Sequence, residues 1–483
     1  MQNLDLNDTI AAIATSPGES GIGIVRISGD EALNIADRIF VSKDGKKPST
    51  FKTYTVHYGW IVSGHRPQVT GHRSDSEDMR RAACNMRQDI VDEVLLTVMR
   101  KPRSYTREDV VEINCHGGIV AMRRVLDLVL ENGCRLAQPG EFTKRAFING
   151  RIDLSQAEAV LDVVKAKTDS ALKIGIEQLR GGLSRCLNKI RKVLLDNLAV
   201  LEANIDFPEE ETSPADGKEI IEGLKQADKS LKIILDSSNH GRIFREGISV
   251  VISGKPNVGK SSLLNTLLKQ ERSIVTAVAG TTRDTIEEVI DIKGIPMRIV
   301  DTAGILQARD LIEKKAVQRA KRYIEQADLV ILLFDGSKTL TKEDELLIRK
   351  LKKKVVLAVI NKIDLKEKIK KEKILKTFGQ VVSISAKKLI NIDVLEEAIA
   401  NLVYKGKLHF ADSILVSNLR HIQEIKKTQK LIAQALDSLD NKLSAEFIAQ
   451  NIKDAVGHLD DVLGKRFSEE LLDKIFSEFC IGK

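Results

Sequence analysis

Gly254-Lys255-Pro256-Asn257-Val258-Gly259-Lys260-Ser261 fits the spacing G-x-x-x-x-G-K-[ST]. The strand-like ISVVIS precedes it and the helix-forming SLLNTLLKQ follows, which is the context such a loop needs. Its glycines let backbone N–H groups along Asn257, Val258, Gly259 and onward to Ser262 turn inward around phosphate oxygens. Lys260 adds a point charge near the β and γ phosphates, and the Ser261 hydroxyl is suited to Mg²⁺. Downstream, Asp301-Thr302-Ala303-Gly304 closes the strand MRIV, Asn361-Lys362-Ile363-Asp364 closes VVLAVI, and Ser385-Ala386-Lys387 ends a third strand. Each alone is a strand-end turn, but in this order they outline a nucleotide pocket. The Asp364 carboxylate can accept from both N1–H and the exocyclic amine of guanine, donors that adenine does not present on that edge, so GTP is expected over ATP. Asp301 is expected to act on Mg²⁺ through water. The Gly304 amide is expected to sense the γ-phosphate, so that hydrolysis loosens the segment after it.

Between the loop and Asp301 lies Gly280-Thr281-Thr282-Arg283-Asp284, where a switch threonine should close on Mg²⁺; Thr282 is the choice. Many GTPases orient the attacking water with a Gln just after the DxxG glycine, and here that position is Ile305. Another group must position the water. The developing charge also needs a cation that no obvious arginine finger supplies.

These motifs sit on an alternation of strands (ISVVIS, MRIVD, ADLVILLFD, KVVLAVINK, GQVVSIS) with helical segments, the pattern of a doubly wound parallel sheet from residue 246 to 405. Before it, residues 1–150 read as an α/β unit with strands at Ile22–Ile27, Ile90–Val98 and Val110–Ile113 and a helix at Ala121–Glu131. The polar, aperiodic stretch 63–89 is a loop or insertion. Residues 151–245 and 406–483 carry helical periodicity, and the second piece is too small to bury its own apolar faces. Packing it on the helices of residues 152–240 gives one helical domain interrupted by the α/β unit.

The 483 residues imply about three domains, and 42% hydrophobic with 30% charged residues excludes a wholly disordered chain. A net charge of +8 permits contact with a polyanion without arguing for one. No run of eighteen apolar residues and no signal-peptide pattern occurs, so a cytoplasmic protein without membrane contact is expected. Five widely spaced cysteines fit neither a disulfide framework nor a zinc site, and four of them are expected to be buried thiols. His116, beside Gly117 and Gly118, is expected to pack in a loop rather than act as a base.

At this point the chain resembles a known family end to end, the bacterial tRNA modification GTPases called MnmE or TrmE. The marks are GIVRISG, HGG followed by PGEFTKRAF, GKPNVGKSSLLN, AGTTRD and the terminal Phe479-Cys480-Ile481-Gly482-Lys483. The resemblance implies an N-terminal α/β folate-binding and dimerisation domain, a discontinuous helical domain and an inserted Ras-like P-loop G domain. It implies a potassium ion in place of an arginine finger, formed where two G domains meet. Its ligands would be Asn257, the Thr281 side chain and the backbone carbonyls of Thr276 and Val278. Glu313 would orient the water. Arg26, Glu112, Arg151 and Lys483 would contact a 5-formyl- or 5,10-methylene-tetrahydrofolate, with Cys480 nearby as acid, base or nucleophile. The family commonly has Lys where this chain has Arg151, which keeps the charge and alters the reach. The implied partners are a second copy of the chain, tRNA, and MnmG (GidA), which carries the FAD, in a heterotetramer or larger assembly. The implied reaction adds an aminomethyl or carboxymethylaminomethyl group at C5 of the wobble uridine, with glycine or ammonium as amine donor. The other class compatible with the GTPase motifs is a regulatory or ribosome-assembly GTPase that does no covalent chemistry on RNA. Such proteins typically have an RNA-binding domain after the G domain, whereas this tail is helical and ends Cys-Ile-Gly-Lys.

Overall fold

The structure is a computed structural model that describes residues 8–16, 18–63, 90–206, 214–270, 288–301, 322–404, 416–441 and 443–483. The chain divides into two compact units, residues 1–161 with 463–483, and residues 162–462.

In the first unit, β1 (Ile10–Ile13), β2 (Gly23–Ser28), β3 (Phe40–Ser42), β4 (Thr55–Val62), β5 (Ile90–Met99), β6 (Val110–Cys115) and β7 (Arg135–Leu136) form one sheet in the order β3-β4-β5-β6-β2-β1-β7. The helices α1 (Ala32–Ile39) and α2 (Ile119–Glu131) bury Ile35, Ile39, Met122 and Val125 against Val25, Ile27, Leu96 and Ile113. Because side chains alternate across a strand, burying Val25 and Ile27 sends Arg26 to the other face. Its register partner there is Glu112 on β6. The chain continues through α3 (Glu141–Ile148) into α4 (Leu154–Lys165). The C-terminal helix Glu469–Ser477, capped by Ser468, brings Leu472, Phe476 and the following Phe479 onto Phe147, Leu154 and Leu161. The last helix thus packs in part on α3, an element outside the stretch expected to receive it.

The second unit opens with α5 (Asp169–Leu179), α6 (Gly182–Asp206) and α7 (Pro214–Glu246). A six-stranded sheet follows: β8 (Ile248–Gly254), β9 (Glu288–Ile292), β10 (Ile295–Asp301), β11 (Leu329–Asp335), β12 (Val356–Asn361) and β13 (Val381–Ser383), in the order β13-β12-β11-β8-β10-β9. All pairings are parallel except β9 with β10 at one edge. Its helices are α8 (Lys260–Gln270), α9 (Lys342–Leu351), α10 (Lys371–Phe378) and α11 (Ile392–Tyr404). The central β11, LVILLFD, is buried along its whole length, as a strand covered on both faces must be. After the sheet, α12 (Leu419–Asp440) packs along α7, and α13 (Ala445–Leu463) follows. Arg191 on α6 pairs with Asp460 on α13, and Gln178 on α5 donates to the Ser417 hydroxyl at 3.3 Å. The two helical stretches therefore meet although the whole sheet lies between them in sequence. The fold class is the expected one: an α/β N-terminal unit, a discontinuous helical part and an inserted P-loop sheet. Among the described residues no helix is long and apolar enough to cross a membrane.

Candidate functional site

The parallel strands β8, β10, β12 and β13 all deliver their motifs at carboxyl ends, where open α/β sheets bind ligands. β10 ends at Asp301 in register with Ile252 of β8. The turn after β8 needs unusual backbone. Gly254 has φ 148 and Gly259 φ 103, and Asn257, a residue type that tolerates the left-handed region, has φ 63. A Cβ on Gly254 would lie 2.6 Å from the Leu333 carbonyl, so the glycine lets the loop start close against β11.

Asn361, only 3% exposed, connects three motifs. Its Nδ2 donates to the Val258 carbonyl at 2.9 Å, and its Oδ1 accepts from the Ala386 amide at 3.0 Å. Thr266 on α8 adds a bond from its hydroxyl to the Ala386 carbonyl at 3.0 Å. Lys362, with φ 67, donates to the Asn257 carbonyl at 2.7 Å and to Asp335 at the end of β11 at 2.6 Å. Burial pushes the Asp335 carboxyl up, but the Lys362 ammonium and the Ser337 donors outweigh it and hold the group below its usual range. Asp335 is thus an ionised anchor for Lys362.

Asp364 is exposed, and the buried Ser385 hydroxyl donates to its Oδ1 at 2.6 Å. That bond, aided by the Lys388 and Lys387 charges, holds its carboxyl below the usual range. At neutral pH it is therefore an acceptor with lone pairs open to a base carrying two adjacent donors. Lys260 is buried, and its Nζ donates to the carbonyls of Gly254 at 3.0 Å and Lys255 at 2.8 Å. Ser261 and Ser262 are exposed in the first turn of α8, and Lys387 is exposed two residues after Ser385. The hydroxyl oxygen of Ser261 is the hard donor type that Mg²⁺ takes. Thr276, Val278, Thr281, Thr282, Thr302, Ala303, Gly304 and Glu313 lie outside the described residues, as does the side chain of Asp301.

A second constellation belongs to the first unit. Arg26 Nε lies 2.8 Å from Glu112 Oε1, its Nη1 donates to the Gly482 carbonyl at 3.1 Å, and its guanidinium sits 5.6 Å from the centre of the Phe142 ring. Arg151 donates to the Tyr105 carbonyl at 3.1 Å and stacks over that ring at 4.6 Å. Tyr105 packs against the small cluster that includes Phe142, so both guanidinium groups rest on one apolar platform. Gly482, with φ 92, fits where a Cβ would lie 2.4 Å from the Ile13 carbonyl. The exposed Cys480 is held through its carbonyl by the Gly140 amide at 3.3 Å, and the Lys483 amide donates to the same oxygen at 3.4 Å. Arg26 thus bonds both Glu112 and the backbone of Gly482, which lies between Cys480 and Lys483 in the tail, and Arg151 lies on the Tyr105 ring. Arg26 and Glu112 are bonded to each other, so each is presented as half of an ion pair.

The TrmE N-terminus family model matches residues 9–151, and the MnmE helical-domain model matches residues 154–480. This chain belongs to the MnmE family. Proteins named tRNA modification GTPase MnmE are similar to it over nearly their whole length. That of Alkaliphilus metalliredigens is 44% identical over 99% of this chain and all of the relative. That of Clostridioides difficile is 45% identical with the same coverage. That of Geobacillus thermodenitrificans is 44% identical over 99% of each chain.

Within this MnmE-family frame, several supporting residues have no sequence signal of their own. Thr266, Asp335 and Tyr105 each act through a partner far away in the chain. The PGEFTKRAF stretch also does more than mark the family. Arg145, 1% exposed, pairs with Asp8, Glu108 and Glu141, and Gly140 at φ 68 lets the Phe476–Phe479 corner approach. Two expectations need correction. His116 does not pack in its loop: its ring is exposed and lies 2.6 Å from Asp92, whose carboxylate raises the imidazole pKa. Of the cysteines expected to be buried, burial pushes Cys115 up to about 11 and Cys134 to about 12, but Cys186 is only half-buried and Cys84 lies outside the described residues.

Proposed function

We propose that this chain is a potassium-stimulated GTPase that works with the FAD-dependent MnmG to modify C5 of the wobble uridine of certain tRNAs, using a one-carbon tetrahydrofolate. A GTP hydrolase acting in tRNA modification follows from membership in the MnmE family. The observation that carries the potassium, folate and wobble-uridine reading is that one polypeptide joins a guanine-type pocket to an Arg26–Glu112 pair bonded by Gly482 of the tail.

In the G domain, Lys260 leaves its two carbonyl partners for phosphate oxygens, and the amides around Gly259 close on the same anions. Asp364 selects guanine. Ser261, with Thr282 and through water Asp301, fits Mg²⁺ by donor type. A potassium ion held by Asn257, Thr281 and the carbonyls of Thr276 and Val278 would supply positive charge for the leaving phosphate, and Glu313 would orient water. Among these, Asn257 is described, and its exposed side chain on a left-handed turn suits an ion bound from outside the loop. In the N-terminal site the paired Arg26 and Glu112 offer donors and an acceptor, and Arg151 and Lys483 offer charges for folate carboxylates. Cys480 stands beside them as acid, base or nucleophile. A homodimer would bring two copies of this arrangement together, in the cytoplasm.

GTP hydrolysis by the full chain should run roughly tenfold or more faster in potassium than in sodium, because a missing positive charge at phosphoryl transfer is costly. Equal rates would remove the cation from the reading. The tRNA of a strain lacking the gene should lose its modified wobble uridines. An unchanged nucleoside profile would leave a regulatory GTPase without RNA chemistry.

A further inference from the structure

Charge is distributed very unevenly along the chain. Residues 349–376 contain twelve Lys and Arg against three Asp and Glu, a net of +9, whereas the entire chain nets +8. The rest of the protein is close to neutral. Folding gathers much of this charge around one concavity. A groove of about 350 Å³ between α9 and α10 is lined by Arg349, Lys352, Lys373 and Lys376, with Glu345 as its one carboxylate. Glu345 bonds Lys373 and is held below its usual range by that ammonium first and by Arg349 further away. One carboxylate faces four cations.

The helix pattern explains the convergence. On α9, Ile348 and Leu351 turn inward to the core with Ile374 of α10, which sends Arg349 and Lys352 outward beside Lys373 and Lys376. Lys366, Lys368 and Lys370, all exposed in the loop before α10, extend the positive strip. Like charges facing one groove repel, and a polyanion would relieve that repulsion while releasing its own counterions. The lining has no aromatic ring on which a base could stack, so contacts here would be to phosphates and would not read sequence.

We propose that this groove and its flanking lysines hold the phosphodiester backbone of RNA. The proposal rests on the tRNA part of the reading above and adds where on the G domain the nucleic acid lies. The test is fluorescence anisotropy of a labelled tRNA transcript with the full chain, between 50 and 200 mM salt. Arg349→Ala/Lys352→Ala/Lys376→Ala should weaken binding about tenfold or more at the lower salt and flatten the log–log salt dependence by roughly two. Lys225→Ala/Lys229→Ala/Lys232→Ala on α7 removes the same charge from exposed positions elsewhere and should change binding about twofold or less. GTP hydrolysis of the groove variant should match the parent, which also reports that it folds. An unchanged affinity and slope in the groove variant, equal losses in both variants, or no tRNA binding by the parent overturns the proposal. The wobble-uridine profile is independent of these outcomes, so tRNA modification can stand while this docking surface falls.

Discussion

Asp364→Asn should lower GTP affinity by roughly a hundredfold and, in the same protein, shift preference toward xanthosine triphosphate. The Asp364 carboxylate is an acceptor on both oxygens, and the Ser385 hydroxyl fixes one of them at 2.6 Å. An Asn can keep that bond through its carbonyl but puts an NH₂ where the second oxygen was. Guanine then presents a donor to a donor, and a polar group that loses its partner on binding costs far more than one that never had it. Xanthine has a carbonyl where guanine has its amine, so the same NH₂ becomes a partner. Competition of the two nucleotides against a fluorescent analogue measures the ratio. A variant that still prefers GTP as strongly as the parent would remove Asp364 from base recognition.

The nucleotide pocket was legible because its chemistry is local: a glycine spacing, a strand end and a carboxylate each announce themselves within a few residues. Long apolar runs such as LVILLFD and VLAVIN also announce buried parallel strands. β1 and β9 did not stand out. IAAI is short and half alanine, and EVIDI is an edge strand whose place is set by its antiparallel partner β10. The 33-residue α7 could be read only in part, since Pro214 and Gly217 near its start look like turn signals but lie in its first turn. The second site was less legible for a different reason. Nothing about Arg26, Glu112 and Gly482 taken singly says they touch. Their contact depends on strand register for the first two and on a tail that returns across more than 450 positions for the third. There the resemblance named residues that periodicity could not, and its PGEFTKRAF mark holds Phe142, while the Tyr105 ring beneath Arg151 had no signal from either.

Gly259→Ala should be the more damaging change, because it strikes the frame shared by the phosphate loop and the base pocket. Gly259 has φ 103, a left-handed conformation that a side chain strains, and an added Cβ would lie 2.2 Å from Asn361 Nδ2. A flexible side-chain end would normally swing aside. Asn361 cannot do so without loss, since it is buried and bonded at both ends of its carboxamide, to Val258 and to Ala386. Moving it orphans a carbonyl and an amide, at about 1–3 kcal/mol each, so GTP affinity should drop by about a hundredfold or more. A double-mutant cycle separates this route from simple backbone strain. Asn361→Ala removes the atom that the new methyl would strike, so adding Gly259→Ala to it should cost only the strain, about 1 kcal/mol, rather than the full loss. Strictly additive losses, read by isothermal titration of GDP, would mean that Asn361 does not transmit the effect and that the loop and the base pocket are independent parts.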